Sequence, residues 1–217
     1  MRIYNYFLTD CYKIKRYGFL AIFPVLAIVM TVWDGDADPV FAFAYCLFAG
    51  IFVAVLPFNS ELKSESGFLQ MLPSKPGEPI LGHFLFGYAA ILIAALGGIL
   101  SILISHLIRP EIPVPFIGSK SLTGMCIMLT GIAFLFAAIE ELVCTMFRFE
   151  SVQMTGFVRL LPAFVFFFGA NRVTDMPAAS GGLPAGILGI SLIVFLGCTL
   201  IYAGIAFAAS RIQAGRE

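Results

Sequence analysis

Charged residues are scarce in this chain: Asp, Glu, Lys and Arg make up 12% of its 217 residues, against about 25% in soluble domains. Apolar residues reach 60%, and the mean hydropathy is +0.97. Sixty per cent is about 130 residues, which is enough for roughly six spanning helices of about 20 residues each. The composition therefore excludes an ordinary soluble domain and predicts an integral membrane protein.

An excess of either charge is also missing, because 13 Lys and Arg residues balance 13 Asp and Glu residues. The sequence thus has no basic footprint that would indicate nucleic-acid binding. It has no Gly-x-x-x-x-Gly-Lys-Ser/Thr loop, no Gly-x-Ser-x-Gly, no His-Glu-x-x-His and no dinucleotide-binding fingerprint. We therefore expect no ATP hydrolysis by this chain alone and no cofactor bound by it.

Cysteine and histidine are few and form no metal-binding pattern. His83 and His106 lie 23 residues apart on one predicted helix, about 34 Å by helical rise, which is too far to share a metal ion. No Cys-x-x-Cys pair occurs, and most of the cysteines lie in apolar runs, where a thiol packs as a small side chain. We expect packing roles for Cys11, Cys46, Cys126, Cys144 and Cys198. The N-terminus lacks the A-x-A exit of a cleavable signal peptide.

Six apolar runs, separated by polar or Pro/Gly-rich segments, predict six membrane-spanning helices. Backbone groups must be satisfied internally in lipid, and no alternating strand pattern occurs, so we expect an all-α fold. The third run has 28 residues, about 42 Å of helix, and must tilt or protrude from a hydrocarbon core of about 30 Å. Within a single transmembrane domain over 1–217, the predicted spans are 18–33, 40–57, 80–107, 122–146, 153–170 and 185–209.

The basic residues give the orientation of these spans. With a cytoplasmic N-terminus, the inner segments hold ten Lys and Arg residues and the outer segments hold three. This excess in short inner loops is the positive-inside pattern. We therefore predict that both termini face the cytoplasm, with Trp33 at the outer interface.

Residues 1–17 precede the first span and predict a short amphipathic helix. An apolar stripe repeats at steps of three and four residues, whereas Asn5, Asp10 and the basic residues lie elsewhere on the helix. The pattern is typical of a helix in the inner membrane interface, and a simple flank that orients the first span explains it equally well. The stripe consists of Ile3, Phe7, Cys11, Ile14 and Gly18.

Small residues recur every four positions on the second and third predicted spans. Such ridges let helix backbones approach closely, and we favour packing within the chain over a dimer face. The two stripes are Ala42, Cys46, Gly50 and Ala54 on the second span, and Ala90, Ala94 and Gly98 on the third.

Glu140 and Glu141 are the one acidic pair inside a predicted span, and intramembrane carboxyl groups are candidates for function. Adjacent glutamates occur in the Glu-Glu-x-x-x-Arg motif of CAAX-type intramembrane proteases, but here Thr145 takes the arginine position and no histidine follows. Two interpretations stay open. The carboxylates snorkel to the inner interface or pair with Arg148 or Arg159, or they form a functional pair in transport or gating.

The longest predicted inner loop, 58–79, has 22 residues, and loops of this length usually have structure or function. Asn59 or Ser60 can cap a helix that runs to about Met71, and Leu72 and Pro73 end it. Glu78-Pro79 then begins the next helix with proline in its first turn. A polar helix between two spans predicts a cytosolic partner, with a solvated linker as the alternative.

This segment resembles the coupling segment of the ABC-2 type permeases, which ends in a Leu-Pro-x-Ser/Thr-Arg/Lys turn before the third span. The family's basic residue would fall at Pro76, whereas this chain has Lys75 one position earlier. The resemblance also covers the layout of the whole chain: an N-terminal amphipathic helix, six spans, and both ends inside. It implies an ATPase-coupling set of Glu65, Gly67, Leu69, Leu72, Pro73, Ser74 and Lys75.

The resemblance implies the permease subunit of an ATP-driven exporter in a bacterial plasma membrane. Two such subunits, identical or sisters, would bind two copies of a separate cytosolic ABC ATPase, which carries the ATP and Mg²⁺. The 23 phenylalanines and few intramembrane charges suit an amphipathic or hydrophobic cargo.

Two alternatives belong to other classes. The substrate-capturing subunit of an energy-coupling-factor importer has a similar size and number of spans, but its outer loops should be rich in specific polar groups. The outer loops at 109–115 and 178–184 are short and rich in Pro and Gly, which favours the exporter. A CAAX-type intramembrane protease is the weaker alternative, because Glu140 and Glu141 are the only convergent polar groups at membrane depth.

Overall fold

The computed structural model describes 2–14, 22–33, 39–56, 77–116, 119–146, 161, 164–166, 168–169 and 187–214. Within these ranges every regular element is an α-helix, in agreement with the all-α prediction. The helices are α1 (Arg2–Ile14), α2 (Ile22–Trp33), α3 (Pro39–Ala54), α4 (Glu78–Ile108), α5 (Lys120–Met146) and α6 (Ile187–Ala214).

Three of these helices are long and apolar enough to cross a membrane: α4, α5 and α6. They correspond to the third, fourth and sixth predicted spans. The first two predicted spans correspond to α2 and α3, which are shorter apolar helices. Most of the fifth predicted span, 153–170, lies outside the described residues, and the six residues described there have helical backbone.

The ends of α4 follow from its local sequence. Gly77 precedes the helix with a φ of 89°, a left-handed conformation that glycine adopts without steric cost. Pro79 lies in the first turn, as predicted, where its missing N–H has no helical partner to lose. At the other end Arg109 is extended, and its N–H donates to the Ser105 carbonyl oxygen at 2.8 Å. The 31 residues between make about 46 Å of helix, so α4 exceeds a hydrocarbon core of about 30 Å.

The two stripes of small residues bring α3 and α4 into close contact. A Cβ atom added to Gly50 would lie 2.6 Å from the Ala94 Cβ, and one added to Gly98 would lie 2.7 Å from the Phe43 ring. Neither site has room for a side chain. The prediction that these stripes pack within the chain is therefore confirmed.

A second close pair is formed by α5 and α6. A Cβ atom added to Gly131 would lie 2.8 Å from the Phe195 Cα, so the two backbones meet there. The apolar core is continuous over α3, α4, α5 and α6. Its largest fully buried apolar side chains are Phe43, Phe84, Phe134, Leu47, Ile51, Ile91 and Ile102.

The outward faces of α4 and α6 carry large apolar side chains. Ile93 and Leu96 of α4 are 69% and 66% exposed, and Ile193 and Leu200 of α6 are 72% and 73% exposed. In a chain with spanning helices, acyl chains of the bilayer cover such faces. The polar groups that could serve a function therefore lie inside the bundle and at its ends.

Candidate functional site

Four helix segments meet at one end of the bundle, here called the α1 end: helix α1, the start of α4 at Gly77, and the last turns of α5 and α6. Helix α1 packs on Gly82, where an added Cβ would lie 2.5 Å from the Tyr6 Cβ. The last turns of α6 pack on Gly77, where an added Cβ would lie 2.5 Å from the Ser210 carbonyl oxygen. The segment of α4 that directly follows the predicted coupling loop is thus held by α1 and α6.

A buried polar pair fixes α1 to α4. Asp10 Oδ2 lies 2.5 Å from His83 Nδ1, and both residues are 1% exposed. A carboxylate and a ring nitrogen at this distance form a strong, charge-assisted hydrogen bond when the imidazole is protonated. The contact connects the N-terminal helix with the second turn of a spanning helix.

The buried face of α1 differs from the one predicted. Asp10 was expected on the polar side and is buried, whereas Cys11 was expected in the apolar stripe and is exposed. Tyr6 is 4% exposed, while Ile3 and Phe7 of the stripe are half-buried. The pattern alone predicted a helix that faces lipid, but the structure gives α1 a protein partner whose histidine takes up the aspartate.

The environment of α1 also affects its cysteine. Partial burial, and secondarily the negative charge of Asp10, raise the pKa of the Cys11 thiol above its ordinary value. Because the thiolate is the reactive form, Cys11 is a poor nucleophile at neutral pH although its side chain is exposed.

Glu140 and Glu141 are both buried inside the bundle, with exposures of 2% and 0%. The expectation that they snorkel to the interface is therefore wrong: α4 and α6 cover this part of α5. Arg148 and Arg159, the cations proposed as partners, lie outside the described residues. Glu141 instead meets the Tyr202 hydroxyl, whose oxygen lies 2.9 Å from Glu141 Oε2 and 2.6 Å from the Phe84 carbonyl oxygen.

Gly87 makes the space for this contact. A Cβ atom added to Gly87 would overlap Glu141 Oε1 and would lie 2.9 Å from the Tyr202 hydroxyl oxygen. One glycine of α4, one carboxyl of α5 and one hydroxyl of α6 thus fit together, and we call this group the three-helix node. Sequence reasoning missed Gly87 and Tyr202. The available signals were the one tyrosine in the apolar run of α6 and a glycine two turns into α4.

An aromatic cluster surrounds the node. The Tyr88 and Phe134 rings stack at 4.6 Å, and the Tyr202 ring lies 5.6 to 5.9 Å from Phe84, Tyr88 and Phe134. Phe195 packs edge-on against Phe134 at 6.0 Å. Rings at these separations are in favourable packing contact, and they keep the carboxyl in an apolar setting.

The predicted coupling set at 65–75 lies outside the described residues, so the structure neither joins it to the α1 end nor separates it from that end. Within the described ranges, no group of three or more His, Cys, Asp or Glu side chains could hold a metal ion. The described polar contacts join one helix to another: Asp10 of α1 to His83 of α4, and Glu141 of α5 to Tyr202 of α6.

Comparison with known proteins gives one finding. A family model described as "ABC-2 family transporter protein" matches residues 5–211. The match runs from the first turn of α1 to the last turn of α6. No curated protein and no solved structure matches the chain.

Proposed function

The chain belongs to the ABC-2 type transporter permease family, and from this premise we propose that it is the permease subunit of an ABC exporter. The observation that carries the proposal is the family match over residues 5–211, which includes α1 and all three long apolar helices. In this proposal both termini and the loop 58–79 lie in the cytoplasm of a bacterial cell, and the α1 end of the bundle is its inner end.

The energy for transport comes from a separate protein. The sequence has no phosphate-binding loop, so ATP and Mg²⁺ are bound by a cytosolic ABC ATPase that docks on 60–75. Two permease chains, identical or sisters, assemble with two ATPase chains. The proposed contacts are those implied by the family: Glu65, Gly67, Leu69, Leu72, Pro73, Ser74 and Lys75.

The geometry of the α1 end supports this coupling route. A displacement of the coupling segment reaches Gly77 first, and Gly77 touches Ser210 of α6. One turn further along α4, Gly82 and His83 touch Tyr6 and Asp10 of α1. Movement of the coupling segment would therefore be passed to α1, α4 and α6 together. ATP binding changes the conformation only if the ATPase binds one arrangement of these helices more tightly than the other.

The cargo in this proposal is amphipathic or hydrophobic. The described helices bury few ionisable groups: Asp10 and His83 in α1 and α4, and Glu140 and Glu141 in α5. A path lined by apolar and aromatic side chains suits a molecule whose transfer from water is not dominated by charge.

The docking site can be tested with charged substitutions in the coupling segment. Replacing Leu69 and Leu72 by Asp should abolish copurification of the P-loop ATPase with the tagged chain from its own membranes, because two charges would enter an apolar docking groove. Ser60→Asp with Ser64→Asp is the matched control, since it adds the same two charges to the segment at positions that precede the implied contact set, which begins at Glu65. Loss of the ATPase in both double variants, or in neither, would contradict the assignment.

A further inference from the structure

The Tyr202 hydroxyl has more close oxygen neighbours than it has protons. Its oxygen lies 2.6 Å from the Phe84 carbonyl oxygen and 2.9 Å from Glu141 Oε2. Both distances are within the range of O–H···O hydrogen bonds, but a phenol has a single proton to donate. A second proton is needed if both contacts are to be hydrogen bonds.

The two acceptors differ in what they can supply. The Phe84 carbonyl oxygen can only accept, and at 2.6 Å it is the closer partner, so the tyrosine proton belongs on this contact. The remaining 2.9 Å contact then faces a lone pair of the tyrosine oxygen. An ionised carboxylate would set lone pair against lone pair there, whereas a carboxylic acid can donate its own proton.

Among the described residues, none that contacts the Glu141 carboxyl carries a compensating positive charge. Within the described part of the chain the only hydrogen-bond partner of its carboxyl group is Tyr202, and Oε1 is buried without a partner. The neighbouring acidic group is Glu140, which is also buried. His83, the nearest imidazole along α4, is held by Asp10. A buried carboxyl without a counter-ion becomes neutral because desolvating the charged form is too costly.

We propose that Glu141 is an intramembrane proton-binding site: its carboxyl is held as the neutral acid and donates to Tyr202, while Tyr202 donates to the Phe84 carbonyl. The protonated state of Glu141 and the packing of the three-helix node then depend on each other. Loss of the proton would leave a carboxylate facing the tyrosine lone pair beside Glu140. Separation of α6 from α4 would remove Tyr202 and the aromatic cluster that keep the site dry. The proposal stands on the geometry of α4, α5 and α6, and it does not depend on the direction of transport or on the ATPase.

Infrared spectroscopy of the full chain in lipid vesicles tests this directly, because a neutral carboxylic acid has a carbonyl band that a carboxylate lacks. At neutral pH the wild type should show this band, and Glu141→Gln should lose an intensity equal to one carboxyl group. Glu140→Gln is the matched control at the adjacent buried position: whatever intensity it loses from its own carboxyl, the component that belongs to Glu141 should remain in its spectrum. A Glu141→Gln spectrum with an unchanged carboxylic acid band would overturn the proposal, as would a loss confined to Glu140→Gln.

A second variant keeps the test decisive if the glutamine variant does not accumulate in the membrane. Tyr202→Phe keeps the ring but removes the hydroxyl oxygen that accepts the hydrogen bond from Glu141, so the same band should persist and move to higher frequency. A merely structural tyrosine would leave the band frequency unchanged. A wild type without a carboxylic acid band, or a band unaffected by Tyr202→Phe, refutes the hydrogen-bonded neutral acid.

Discussion

The contact between Asp10 and His83 gives the most direct test of how α1 is held. The perturbation is Asp10→Leu, which replaces the carboxylate by an apolar side chain of the same branching and leaves His83 without that partner. Both residues are 1% exposed, so water cannot replace the lost partner without opening the interface. Asn5→Ser on the exposed side of the same helix is the control.

The size of the effect follows from the burial of the pair. Removing one partner of a buried, hydrogen-bonded pair costs about 3–5 kcal/mol, because the other group stays desolvated. The lower figure corresponds to roughly a 150-fold increase in the undocked fraction of α1, at about 1.4 kcal/mol for each factor of ten. The 13 residues of α1 make a helix that is only marginally stable alone in water. Undocking should therefore expose its backbone amides.

Hydrogen–deuterium exchange of the full chain in lipid vesicles, followed by mass spectrometry of the α1 peptide, measures this opening. Exchange in α1 should accelerate by about two orders of magnitude in Asp10→Leu and stay unchanged in Asn5→Ser. The free-energy change measured by exchange in the double variant, Asp10→Leu with His83→Gln, should be far smaller than the sum of the changes in the two single variants. The reason is that both substitutions remove the same contact. An acceleration below threefold in Asp10→Leu, or additive effects of the two substitutions, would show that this pair does not hold α1.

Three further predictions concern other parts of the chain. Gly87→Ala should lower the unfolding temperature, since overpacking costs about 1–3 kcal/mol against a helix-propensity gain of about 0.5–1 kcal/mol. Gly204→Ala is the control: an added Cβ there meets open space, so this variant should not lower the unfolding temperature. Equal unfolding temperatures for the two variants would refute the close fit at Gly87. In a cysteine-free chain, a cysteine at Ser180 but not one at Ser64 should react with an impermeant maleimide on intact cells, and the reverse pattern would invert the topology. The third prediction uses a chain that keeps only Cys11, whose thiol has a raised pKa. The alkylation rate of a free cysteine, with a pKa of about 8.5, levels off above that pH, whereas the alkylation rate of Cys11 should still rise there. A plateau of the Cys11 rate at or below the pH of the free-cysteine plateau would contradict the prediction.

The long helices and their close contacts could be predicted because the signals are local in the sequence. Apolar length alone gave α4, α5 and α6 to within a few residues, and Pro79 marked the start of α4. The small residues around Gly50 and Gly98 predicted close packing within the chain, and the structure shows this packing between α3 and α4. Each of these features depends on a property of one helix: its length, its cap, or the size of the side chains on one face.

The polar contacts could not be predicted because each depends on a partner far away in the sequence. Asp10 was assigned to the polar side of α1 since no pattern within α1 indicates a histidine 73 residues later. One of the two interpretations of Glu141 places it at the interface because it lies near a helix end, whereas Tyr202, 61 residues later, covers it. Hydrophobic periodicity shows which face of a helix is apolar, but not which polar group has a buried partner.

Glycine positions explain how one stretch of α4 contacts three other helices at once. Gly82 and Gly87 are five residues apart, which places them about 140° apart around the helix axis. Helix α1 therefore packs on one side of α4, while the carboxyl of α5 and the hydroxyl of α6 meet on another side. Gly77, five residues before Gly82, receives the end of α6 at Ser210. At each of these positions an added Cβ would collide with a group from another helix. The start of α4 thus cannot rotate or slide without displacing α1, α5 or α6.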